Sequence, residues 1–151
     1  MRAETAWIEH SYLFGTTAYL DDSGIAHAPA KAPQTVHAMV AAANSISKSP
    51  FKYGGGRKKF VDNGYDSAGA TSFVLKAGGI LDAPIATHDF FHYGVKGYGE
   101  WMTLYIHNNH VFIEIAGLRF DTGCRWGSTG PRWKPESKSL EKYFVRHPRG
   151  L

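Results

Sequence analysis

Two linked segments constrain this chain more than anything else in it: Lys52-Tyr53-Gly54-Gly55-Gly56, and then Gly64-Tyr65-Asp66-Ser67-Ala68-Gly69. The glycine-rich turn leads into a short polar residue that opens an apolar run from Ala70 to Ala77. That pattern predicts a helix beginning at Ser67, closed by Gly78-Gly79. The free N–H groups and the dipole at such a helix start favour negative charge, which is how a nucleophile is mounted. Ser67 is therefore the first candidate functional residue.

The rest of the pattern predicts an α+β fold. Val36, Met39, Val40, Ala43 and Ile46 recur at three- and four-residue spacing, an amphipathic helix with Pro33 near its first turn and Pro50 as its stop. Residues 1–32 read as an N-terminal extension with strands at Ala6–Phe14 and Thr17–Leu20. Ala28 to Pro33 is a connector, and residues 33–151 form the main domain. Residues 80–100 read as a long irregular loop. Strands are expected at Trp101–His107, His110–Ala116 and Leu118–Thr122, followed by a loop over Gly123–Ser139 and a last strand at Lys142–His147. The expected architecture is helices first, then an antiparallel meander, with the Ser67 helix packed on the sheet.

Size and charge narrow the function classes. A chain of 151 residues with 43% hydrophobic and 14% aromatic content is one globular domain with a proper core. The net charge of +4 favours an acidic partner, but only Arg57-Lys58-Lys59 form a tight cationic cluster, so a nucleic-acid groove is not expected. One cysteine, Cys124, excludes an internal disulfide and a multi-cysteine metal site. No apolar run reaches the ~18 residues of a membrane span, and Glu4, Glu9 and His10 interrupt any secretory-signal pattern.

A base and its orienter follow from strand geometry. Alternation puts His110, Phe112 and Glu114 on one face of their strand. If Ala116-Gly117 is a two-residue turn, Ile115 faces Leu118 and Glu114 faces Arg119, a pairing of opposite charges that supports the register. Phe112 then faces Asp121, which brings Asp121 diagonally within reach of His110 on the same face. A carboxylate behind a histidine fixes its tautomer and stabilises its protonated form. Ser67, His110 and Asp121 are thus nucleophile, base and orienter. The residues alone also admit a blander arrangement, in which His110 merely starts a strand and Asp121 lies at the surface.

Taken together, Tyr-Gly-Gly-Gly, Asp66-Ser67-Ala68-Gly69 opening a helix, and His110-Val111 leading an apolar strand resemble the NlpC-type cell-wall peptidases, papain-like cysteine hydrolases. The resemblance runs from about Pro33 to the end. It implies a papain-like fold and a substrate in bacterial peptidoglycan, with hydrolysis of a stem-peptide amide between a D-glutamyl residue and the following diamino acid. It implies attack by residue 67, proton transfer through His110, orientation of His110 by Asp121, and an oxyanion held by the residue-67 backbone N–H. Tyr53, Asp66 and Trp101 are the expected substrate-binding residues. Trp126, Trp133 and Tyr98 are further aromatics suited to a glycan–peptide chain or to packing. No cofactor and no metal are expected. The setting is the bacterial periplasm or cell wall, reached either as a housekeeping remodeller or as an antibacterial effector paired with an immunity protein.

Two departures bear on activity. Ser67 stands where the family has cysteine. A thiol is driven to a thiolate by a helix N-terminus and a neighbouring imidazolium, whereas a hydroxyl needs concerted proton removal in tightly set geometry. The chain as written is therefore expected to be inactive or very weak: either Ser67 replaces a native cysteine or the protein is a pseudoenzyme that binds the wall. Phe51 also stands where the family often has a tyrosine hydroxyl near the oxyanion.

Three competing features carry less. Cys124 lies in a glycine-rich loop with no helix behind it to lower its pKa. His88 and His92 have the i, i+4 spacing of zinc ligands, without the glutamate of that motif. His107 lies at a strand end and is the weaker candidate for the base.

Overall fold

A computed structural model describes residues 15–123, 129–134 and 142–151. Strands β1 (Tyr19–Leu20) and β2 (Ala26–His27) form a short hairpin. Helix α1 (Gln34–Ile46) and helix α2 (Ser67–Ala77) follow, then a 3-10 helix at Thr87–His92. The remaining strands are β3 (Val95–Lys96), β4 (Met102–His107), β5 (His110–Ile115), β6 (Leu118–Asp121), β7 (Arg132–Lys134) and β8 (Phe144–His147). They make a six-stranded antiparallel sheet in the order β3-β8-β4-β5-β6-β7. The fold is α+β, as expected.

Helix α2 is the centre of the molecule. Asp66 caps it, its Oδ1 accepting from the Gly69 N–H at 2.8 Å. The first six residues, Ser67 to Ser72, are small and all buried, so the helix backbone packs closely against β5 and α1. Gly69 shows how closely: a Cβ there would sit 1.8 Å from the carbonyl oxygen of Gly55. The same close approach requires glycine at position 56 of the turn, where a Cβ would sit 2.9 Å from the Gly69 Cα.

Asn44 ties the α1 side together. Its Oδ1 accepts from the Ala26 N–H at 2.9 Å and from the Trp133 Nε1–H at 2.8 Å, while its Nδ2 donates to the Ala26 carbonyl. One side chain thereby joins β2, α1 and β7. Ala18, Ala26, Ala28 and Ala32 pack into the same core as α1 and the sheet, so the described part of residues 1–32 is joined to the main core.

The β5–β6 hairpin follows the expected register: Ile115 pairs with Leu118 and Glu114 with Arg119. Ala116 at φ 47° and Gly117 at φ 84° form the two-residue turn, with both central residues left-handed as a twist-compatible hairpin requires.

Four expectations need correction. Residues 80–100 are not wholly irregular: Phe90, fully buried, anchors the 3-10 helix, and Asp89 Oδ2 accepts from the Ala86 N–H at 2.9 Å. Gly123–Ser139 is not a plain loop, because Trp133 packs on Phe120 and carries β7. The last strand does not extend the meander but returns to the far edge of β4. Arg119 forms no ion pair with Glu114 among the described residues, since its guanidinium is taken by Asp121. The expected strand at Ala6–Phe14, along with Cys124 and Trp126, lies outside the described residues. Among the described residues no helix is long and apolar enough to cross a membrane.

Candidate active site

Ser67 occupies the first turn of α2 and is 8% exposed. Its Oγ accepts from the Val111 N–H at 3.5 Å, which places the side chain against the first residues of β5. His110 is the residue before Val111. Its Nε2 bonds Asp121 Oδ1 at 2.6 Å, the diagonal contact that the hairpin register requires. With Nε2 held by the carboxylate, Nδ1 is the ring nitrogen left for chemistry, so Asp121 selects which edge of the imidazole can work.

Asp121 is 3% exposed and shared. Oδ1 faces His110, while Oδ2 accepts from both Nε and Nη2 of Arg119, the former at 2.9 Å. Lys134 Nζ stands 4.0 Å from the same oxygen. A buried carboxylate needs such partners, because an unpaired charge there is very costly. The Arg119 guanidinium lies over the Phe112 ring at 4.1 Å, and Phe112 stacks on Tyr105 with centroids 4.8 Å apart. Tyr105 is pushed up to about 12 by burial, with the charge of Glu114 as a smaller cause.

Ser67, His110, Asp66, Arg57, His107 and Thr122 line one cleft of about 280 Å³. Phe51, Tyr53, Asn109, Gly123 and Tyr143 complete its walls. A larger concavity of about 670 Å³ opens beside it across Tyr53, lined by Lys58 and Lys59. It contains no nucleophile and no histidine, so the smaller cleft is the candidate active site.

The other expected site residues divide. Tyr53 stands on the rim, 87% exposed. Asp66 is 4% exposed and fully committed: Oδ1 to the Gly69 N–H, Oδ2 to the Gly54 N–H at 3.0 Å and to Arg57 Nε at 2.7 Å. Trp101 is not in the cleft. It precedes β4 and pairs with Ala116 through the Ala116 N–H. His110 lies at the other end of the hairpin, so at ~3.3 Å per residue Trp101 sits about 20 Å away. Trp133 is a core residue, and Tyr98 is exposed with its ring near Tyr105.

His107 pairs with His110 across the β4–β5 hairpin and lines the same cleft, but its ring packs near Tyr143 with no carboxylate paired to it among the described residues. His88 and His92 lie on a 3-10 helix, where residues three apart align and residues four apart do not. Among the described residues no three His, Cys, Asp or Glu side chains converge as metal ligands.

The sequence reasoning missed three contributors. Arg119 pairs with Glu114 in the register as expected, but its guanidinium goes to Asp121, the buried residue two positions on along the same strand face. Arg57 was seen only as part of a cationic cluster. Thr122 Oγ1, buried without a hydrogen-bond partner among the described residues, leaves no signal in the sequence at all.

The loop between the two motif segments is itself braced. Lys52 Nζ bonds Asp62 Oδ1 at 2.9 Å, and the Gly56 N–H donates to Asp62 Oδ2 at 3.1 Å. Lys52 beside it, with the backbone N–H groups of Gly56 and Asn63, holds the Asp62 carboxyl well below the usual carboxylate range. The chain matches no protein-family model and no curated protein.

Proposed function

We propose that this chain is a nucleophile-substituted hydrolase of the NlpC type, whose cleft accepts a peptidoglycan stem peptide and, with a thiol at position 67, cuts an amide bond in it. One observation carries the proposal: Ser67 on the first turn of α2, and His110 backed by Asp121 at 2.6 Å, line the same cleft. In that scheme a thiolate at 67 attacks the scissile carbonyl and forms a thioester as the C–N bond breaks. His110 delivers the proton to the leaving amine and then activates the water that hydrolyses the thioester. The helix N-terminus favours the thiolate and the oxyanion alike.

The serine supports a second reading, a binder of cell-wall peptide that does no chemistry. Its hydroxyl cannot be ionised by this setting as a thiol would be.

The test is Ser67→Cys on purified peptidoglycan, followed by mass analysis of the released muropeptides. Release of stem-peptide fragments by this variant, lost by about 10²–10⁴-fold when His110→Ala is added, is the expected result for a general base. Retention on insoluble peptidoglycan without any release, even with cysteine in place, would select the binder.

A further inference from the structure

We propose that Phe112 is a positioning residue of this site: its ring sets the Arg119 guanidinium against Asp121 and keeps it from Glu114, so that Asp121 stays aligned with His110. The proposal rests on the hydrolase reading for the use made of His110, and on separate geometry for the role of the ring.

Strand register offers Arg119 a different partner. It lies directly across from Glu114 on β5 and from Lys134 on β7. Opposite charges facing each other across a ladder attract and like charges repel, so both neighbours direct the guanidinium towards Glu114. Glu114 is half-buried, and its carboxyl has no hydrogen-bond or ion-pair partner among the described residues. The guanidinium nevertheless runs along its own strand and gives Nε and Nη2 to Asp121 Oδ2. Burial makes Asp121 the acid in greater need of a cation. That need does not set the plane in which the fork approaches.

Phe112 sets it. The side chain is fully buried and shares a strand face with His110 and Glu114. Tyr105 stacks on its ring with planes 11° apart, and Tyr143 meets it edge-on with centroids 5.2 Å apart. A ring fixed by two aromatic neighbours is a rigid plate. The guanidinium carbon of Arg119 lies over it at 4.1 Å, where the ring attracts the cation and the planar fork stacks. A fork held in this way carries Nε and Nη2 together to one oxygen of Asp121. Without the ring, Arg119 is free to turn to Glu114, and Asp121 keeps only His110 and the lysine 4.0 Å away. The His110 ring also stands 6.1 Å from Phe112, so one side chain flanks both partners of the carboxylate.

The test needs no turnover. Heteronuclear NMR of the chain with Ser67 in place should show the His110 Nε2–H as a low-field signal of a single tautomer, slow to exchange with water. Phe112→Leu, which stays apolar but removes the ring, should speed that exchange at least about tenfold, the size of a desolvated cation–π contact. Glu114→Gln alone should leave the signal as it is. Phe112→Leu combined with Glu114→Gln should recover most of the protection, because the competing acid is gone; a ring that only filled space would not be rescued from that position. Should Phe112→Leu fail to fold, Arg119→Lys asks the same question with the core intact: it keeps the charge without the planar fork, so the signal should weaken. No low-field signal in the parent, an exchange rate unchanged in Phe112→Leu, a loss that Glu114→Gln does not repair, or a parent-like signal in Arg119→Lys would each overturn the proposal. If the NMR results hold while Ser67→Cys leaves peptidoglycan uncut, the positioning role stands and the hydrolase reading falls.

Discussion

Arg119 places Nε and Nη2 on the one oxygen of Asp121 that His110 does not use. The carboxylate therefore serves two partners at once, and Arg119 orients His110 without touching it. Both partners are nearly enclosed, with side-chain exposures of 11% for Arg119 and 1% for Asp121. Removing the arginine would leave a buried carboxylate relying on His110 and a lysine 4.0 Å away.

Arg119→Met should cost about 3 kcal/mol of stability, the size expected when one member of a buried ion pair is removed. Arg119→Lys keeps the charge but loses the two-pronged contact, and should fall between Met and the parent. Urea unfolding of the three proteins measures this directly. Equal midpoints for Met and parent would show that Asp121 does not depend on the arginine.

Much of this site could be read from the chain because its parts are local. The helix at Ser67 needs only its Asp66 cap, its glycines and its apolar run. The His110–Asp121 contact follows from a two-residue turn and strand alternation, both short-range rules. What could not be read depends on partners distant in sequence. Strand β7 is three residues with one inward side chain, Trp133, and it exists because Phe120 and Asn44 receive that indole. Strand β8 has no inward pattern that would choose β4 over β7, and its place is set by pairing with Leu104, Tyr105 and Ile106. Arg119 had two acidic candidates, Glu114 across the hairpin and Asp121 on its own strand face. Burial decided between them, and burial is a property of the assembled fold.

Glu114 was left half-buried opposite Arg119 without that ion pair, and its carboxyl is raised from the ordinary value of 4.5 by burial. A carboxyl raised on folding binds its proton more tightly in the native state. Its contribution is therefore most favourable below pH 4.5 and is lost as pH rises through the folded value. Glu114→Gln should match the parent in stability at pH 4 and exceed it at pH 7. The carboxyls of Asp21 and Asp62 are held low, so they act in the opposite direction and only in more acidic solution. Denaturant melts at the two pH values test this, and a difference that shrinks towards neutrality would contradict it.

Gly69→Ala tests the close approach on which the cleft is built. The added Cβ would lie 1.8 Å from the Gly55 carbonyl oxygen and 3.0 Å from the Gly56 Cα, both backbone atoms that cannot rotate away. The glycine-rich turn would have to move off α2, carrying the Gly54 N–H away from Asp66. A loss of about 3 kcal/mol is expected, the upper range for overpacking. Gly79→Ala would meet nothing within 4 Å, but it lies at φ 73° and should cost only about 1 kcal/mol. Thermal melts that rank Gly79→Ala below Gly69→Ala would remove the steric account.

Thr122 separates stability from function at a single atom. Its Oγ1 is buried with no hydrogen-bond partner among the described residues, and the residue lines the cleft. An unpaired buried hydroxyl is a standing cost, so Thr122→Val, which keeps the shape, should leave the fold unchanged or more stable by about 1 kcal/mol. If a stem peptide satisfies that hydroxyl, the same substitution should weaken its binding several-fold while the melt rises or holds. Calorimetric titration beside a thermal melt gives both quantities on one sample. A variant that loses stability and keeps full affinity would mean that Thr122 holds the chain together there and takes no part in recognition.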